Sequence, residues 1–148
     1  MLDTTALTPL IYGRVKPHIY AFETNTVPNY LKVGDTYRPV ALRLEEWKNI
    51  GYENLIKRVD EEALVDSDIY FRDYSVHKHL MDRQHLHQIT DSERRELSKT
   101  HNNIHISTEF FLDATASNVK RAIDAIKESF QNNRNEYTFY DKIAPKRL

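Results

Sequence analysis

Residues 18–34, "HIYAFETNTVPNYLKVG", constrain the fold more than any other stretch. Two runs rich in β-branched and aromatic residues, 18–24 and 30–34, flank "NTVPN", which carries two asparagines and Pro28. Such residues favour pleated strands, and asparagine and proline favour turns. A connection this short joins antiparallel strands, so the spacing predicts a hairpin. The second strand ends in Gly34, one of only three glycines in 148 residues.

The elements that follow are consistent with a sheet covered by helices. Pro39 suits the first turn of a helix, where its missing N–H costs nothing. That helix is expected to run to about Asn49, burying Val40, Leu44 and Trp47 at i, i+4, i+7 spacing, and to end at Gly51. "ENLIKRVDEEA" (53–63) reads as a third strand with a charged face, and 70–84 as a helix. Residues 85–106 are polar, with part of "DSERRELSK" a surface helix. "ISTEFF" (106–111) is a short apolar segment. Val119, Ala122, Ile123, Ile126 and Phe130 form one stripe, which predicts a helix over 117–130 capped by Ser117 or Asn118. "EYTFY" (136–140) reads as a last strand. The order predicts an α+β fold, a small antiparallel β-sheet flanked by helices. We expect an irregular lead-in over 1–16, a single domain over 17–141 and a tail over 142–148.

Composition narrows the function classes. No apolar run approaches a membrane span, and the N-terminus lacks a basic start followed by an apolar stretch. The chain has no cysteine, which removes disulfides, thiolate zinc sites and cysteine nucleophiles and fits a cytoplasmic location. The net charge of −1 means that DNA binding would depend on a local cluster of cations rather than on bulk charge.

Several residues could carry chemistry. Arg43 lies on the margin of the Val40–Trp47 stripe. Its guanidinium is placed either for an anion at the sheet rim or for an ordinary salt bridge with Glu46. In the hairpin, Tyr20 falls near Lys32 and Gly34, where a glycine lets a phosphate approach closely. The alternative has Tyr20 in the core and Lys32 solvated on the opposite face. Asp73 shares a helix face with Val76, His77 and Leu80. It reads either as that helix's N-cap or as a carboxylate turned inward to hold a metal. Glu109, beside Phe110 and Phe111, is a second acid in apolar surroundings, and hard cations such as Mg²⁺ or Mn²⁺ take carboxylate oxygens. His77, His79, His85 and His87 suggest zinc at first sight. On a helix, however, His77 and His79 point different ways, and there is no cysteine to complete a site.

Taken in order, "HIY", "KVGDT", "RPVALRLEEW", "VHKHL" and "TEFF" resemble the GIY-YIG nuclease superfamily, in particular the branch whose second motif reads K-[IV]-G-x-T. The stretch 25–47 also resembles the nuclease-type domain at the start of some restriction-associated helicases. The resemblance spans roughly residues 17–128. It implies metal-dependent cleavage of a DNA phosphodiester, within a protein that could include a helicase or other domain. It puts Tyr20 in the role of activating a water and Arg43 in that of holding the phosphate. Asp73 becomes the metal ligand, with Glu109 as an alternative, and Lys32 and His77 join the catalytic group. Gly34, Thr36 and Arg38 fall on the substrate side. The chain departs from the pattern in three places: His18 stands for the first glycine, Lys32 for the second tyrosine, and Asp73 for the metal glutamate. The rival expectation is an inactive DNA- or protein-binding module of the same fold, and a third is a scaffold or inhibitor domain without nucleic-acid contact.

Overall fold

The computed structural model describes residues 16–141. The expected lead-in and tail lie almost wholly outside them. Strands β1 (His18–Glu23) and β2 (Tyr30–Thr36) form the predicted hairpin, with Tyr20 opposite Gly34 and Phe22 opposite Lys32. Helix α1 (Val40–Ile50) follows, capped by Pro39 and ended by Gly51 at φ 128°. Strand β3 (Ile56–Glu62) pairs with the outer side of β1 and buries only Val59 of its seven residues, which accounts for its charged sequence.

Next come β4 (Ile69–Tyr70), α2 (Asp73–Asp82), α3 (Asp91–Lys99), β5 (Phe110–Leu112), α4 (Ala116–Gln131) and β6 (Tyr140–Asp141). The main sheet has the order β3-β1-β2-β5, all antiparallel, and β4 pairs with β6 in a separate two-stranded ribbon. The predicted α+β architecture, a small antiparallel sheet flanked by helices, is therefore the one observed.

Three sequence expectations need correction. The helix expected over 70–84 starts at Asp73, because Ile69–Tyr70 is drawn into the ribbon with β6. The strand expected over 136–140 shrinks to Tyr140–Asp141. Helix α4 is capped by Thr115 rather than Ser117 or Asn118. Asn118 instead closes a reciprocal capping box, its side chain accepting from the Thr115 N–H.

Alternation along the strands builds two cores, one on each sheet face. Ile19, Ala21, Leu31, Val33 and Phe111 face α2 and α4, meeting Val76, Leu80, Val119 and Ile126. Tyr20, Phe22 and Phe110 face the other way, onto Val40, Trp47 and Tyr52 around α1. Lys32 and Gly34 share this second face by their period-2 spacing with Tyr20's partner position. Strand β5 pairs only with Tyr30–Lys32, so the far half of β2 leaves an edge beyond it. The site lies at that edge.

Candidate functional site

Lys32 is wholly buried, so it is not solvated as one reading of the sequence had it. A buried ammonium is costly unless partnered. Its Nζ donates to Glu109 Oε1 at 2.8 Å and, more weakly, to the Tyr20 hydroxyl at 3.4 Å. It also lies 4.6 Å from the centre of the Trp47 ring. The Tyr20 hydroxyl accepts a second hydrogen bond, 2.8 Å from Trp47 Nε1. Gly34 makes this crowding possible. A Cβ there would come within 2.7 Å of the Tyr20 hydroxyl oxygen and 2.8 Å of Lys32 Nζ. The glycine thus admits two side chains of the protein itself, rather than opening room for a phosphate.

Arg43 stacks on the outer side of the same indole, its guanidinium carbon 4.7 Å from the ring centre. It donates to Glu46 at 3.3 Å and interacts with Tyr20. Burial would lower its pKa, but Tyr20 and Glu46 outweigh burial and hold the guanidinium charged. Both readings of Arg43 therefore have a basis. It makes the salt bridge, and it remains a partly exposed cation at the rim. Arg38 joins at one remove by pairing with Glu46, and the Thr36 hydroxyl accepts from the Arg38 N–H.

The acidic half comes from α2 and the approach to β5. Asp73 is not the N-cap of α2. That position is Arg72, and Asp73 is the first helical residue. Asp35 supplies the cap from outside the helix, accepting from the Asp73 N–H at 3.0 Å while pairing with Arg72 at 2.6 Å. The Asp73 carboxyl is thereby set inward. Among the described residues, no donor reaches its buried Oδ1. One turn on, His77 Nε2 lies 2.7 Å from the Val33 carbonyl on the open edge of β2 and 3.9 Å from Glu109 Oε2. A carbonyl only accepts, so Nε2 carries the proton and Nδ1 keeps its lone pair.

Ligand atoms of Asp73, His77 and Glu109 all lie within 4.8 Å of one another. Burial, the charge of Asp35 and contact with Glu109 push the Asp73 carboxyl up from 3.8 to about 8. Burial acts the same way on Glu109, but Lys32, Asp73 and His77 together outweigh it and hold Glu109 below its usual range. Burial also lowers His77, against the Val33 carbonyl and Glu109, and keeps the ring neutral. Two carboxyls and a neutral imidazole, one oxygen unpartnered, are a donor set that fits a hard divalent cation. His79, His85 and His87 take no part. His79 bonds to Gln84, His87 to Glu93, and His85 is exposed.

The sequence-derived residues converge on one stretch of sheet edge, with Lys32 joining the cationic half to the acidic half. Sequence reasoning missed Trp47 as a polar partner of Tyr20, because its helical spacing marks it as core. It also missed Asp35, whose role rests on a contact 38 positions away. Among the described residues, no helix is long and apolar enough to cross a membrane. No protein-family model matches the chain, and neither curated proteins nor solved structures give a match.

Proposed function

We propose that this chain is a divalent-metal-dependent endonuclease domain acting on DNA phosphodiesters, with Asp73, Glu109 and His77 holding Mg²⁺ or Mn²⁺. The observation that carries the reading is the meeting of these three donors around the unpartnered Asp73 Oδ1, joined through Lys32 to the pair Tyr20 and Arg43. The ordered resemblance to GIY-YIG nucleases supports it.

Each side chain has a distinct task. Arg43, stacked on Trp47 and open to solvent, binds the phosphate. Lys32 is wholly buried and cannot touch a substrate here, so it is a positioning residue that fixes Glu109. The Tyr20 oxygen accepts from Trp47 and Lys32 and is nearly as buried as Lys32, so Tyr20 acts by orienting Arg43, with which it interacts, rather than by touching the phosphate. His77, held through Nε2, offers Nδ1 as a ligand or proton acceptor. The bound cation would supply Lewis-acid stabilisation of charge developing on the phosphate.

Burial of Tyr20 and Lys32 favours a second reading, a binding module that keeps the fold without the chemistry. Plasmid cleavage in Mg²⁺ or Mn²⁺, with calorimetric titration of Mn²⁺, separates the two. The endonuclease reading expects nicking that is lost in Asp73→Asn and falls about 100-fold or more in Arg43→Ala. Activity that persists when Tyr20→Phe and Arg43→Ala are combined would sink it. DNA binding with neither metal uptake nor cleavage would establish the binding module.

A further inference from the structure

A second polar centre lies on the far flank of α2, where a cavity of about 660 Å³ opens between α2, α4 and residues 134–137. Asn118, Arg121, Ala125 and Glu128 form its wall on α4, at the i, i+3, i+4 spacing of one helix face. His79 faces them from α2 and is more than nine-tenths buried.

The orientation of this histidine follows from its neighbours. Gln84 Nε2 donates to the Asn118 backbone carbonyl at 2.9 Å, which fixes which end of the amide is nitrogen. The opposite end, Gln84 Oε1, accepts from Asn118 Nδ2 at 2.7 Å. The same Nε2 lies 3.0 Å from His79 Nδ1, so Nδ1 must accept. The imidazole proton is therefore on Nε2, which has no partner among the described residues and is left for the cavity. The capping box of α4 thus sets the tautomer of a histidine on α2, through Asn118 and Gln84.

The charges lining the cavity point to an anion. Glu136 is held between Arg83 at 3.0 Å and Arg134 at 3.2 Å, and Glu128 is paired with Arg134 at 3.4 Å. Both carboxylates thus have cations, whereas Arg121 has no carboxylate partner among the described residues. An imidazole N–H and a guanidinium fork facing one space suit the oxygens of a phosphate. The volume exceeds that of a bare phosphate and falls in the range of ordinary ligand cavities, with Tyr137 offering a ring at one side.

We infer that this cavity is a phosphate-binding site, taking the phosphate of a nucleotide-sized ligand through Arg121 and His79 Nε2–H. It stands whether or not the Asp73 cluster cleaves DNA. A free nucleotide and a DNA backbone share this chemistry, so the test uses both. The His79 imidazole and Arg121 Nε resonances of the full chain are followed by NMR. The probes are inorganic phosphate, deoxyadenosine monophosphate and a short DNA duplex. Inorganic phosphate is expected to move both resonances, with the nucleotide binding at least as tightly. Arg121→Glu, at an exposed position, should weaken binding by about tenfold or more at an unchanged melting temperature. Gln84→Leu, which frees the imidazole, should weaken it as well. A response to the duplex alone would identify the ligand as nucleic-acid backbone. No response to any probe, or a response intact in both variants, overturns the site.

Discussion

Gly34 and Asp73 mark the two extremes of what a single residue does here. At Gly34 the absence of a side chain is the function, since a methyl group would press on Tyr20 and Lys32 at once. Lys32 is wholly buried and paired with Glu109, so Gly34→Ala should lower stability by about 1–3 kcal/mol, measurable by chemical denaturation. A loss below about 0.5 kcal/mol would mean that the Tyr20–Lys32 contact is looser than described. At Asp73 the cost is electrostatic. Its folded pKa of about 8 lies above the ordinary 3.8, so the folded protein retains a proton that the unfolded chain releases. Stability from this group is therefore complete below about pH 4 and is lost as pH rises toward 8. Glu109 is shifted the opposite way, and its contribution is lost on acidification below its usual range. The metal-free protein should be most stable just above the usual carboxylate range, where Glu109 is ionised and Asp73 has lost little, and above pH 8 Asp73→Asn should stabilise the fold by roughly 2 kcal/mol and so raise its melting temperature. A variant less stable than the parent at pH 8 would contradict the inward-turned acid. Period-2 alternation puts Lys32 and Gly34 on one face, but that Tyr20 shares it depends on the hairpin register, which the sequence leaves open. The burial of Lys32 is not legible either, because it depends on Trp47 and Glu109 arriving from distant segments.

The elements were legible where their signals are local. The hairpin, α1 with its Pro39 start and Gly51 stop, and the long stripe of α4 follow from spacing and turn chemistry. The start of α2 does not, because Ile69–Tyr70 is claimed by β6 and the cap comes from Asp35. Asp35 ties three things together: the end of β2, the guanidinium of Arg72, and the first N–H of the helix that carries Asp73 and His77. Asp35→Ala should cost about 1–3 kcal/mol through the lost cap and partly buried ion pair. It should also weaken Mn²⁺ binding although Asp35 is no ligand, because the first turn of α2 loses its anchor. Calorimetry on Asp35→Ala and Asp35→Asn separates these effects, since asparagine can still accept from the Asp73 N–H. Unchanged metal affinity in both variants would show that α2 is positioned by packing alone.

At the scale of the whole molecule, the candidate metal site reinforces a junction that is already packed, since the Val33 N–H donates to the Glu109 carbonyl at 2.9 Å and His77 lies against Phe111. Asp73 and His77 belong to α2, packed on one sheet face, whereas Glu109 leads into β5 and is held by Lys32 from the other. A cation bound by all three ties both cores across the open edge of β2. Binding to the folded state alone stabilises it by about 2.7 kcal/mol at a hundredfold excess over Kd. For a chain of this size that corresponds to a rise in melting temperature of roughly 5–10 °C. The rise should grow with pH, because the ion must displace the Asp73 proton, and at pH 8 the displacement is nearly free. Thermal melts with Mn²⁺ at pH 6 and pH 8 should therefore show the larger shift at pH 8. Asp73→Asn combined with Glu109→Gln should abolish the shift at both. A shift that survives in this double variant would place the cation elsewhere on the molecule, and the sheet edge would then hold only a structural network around Lys32.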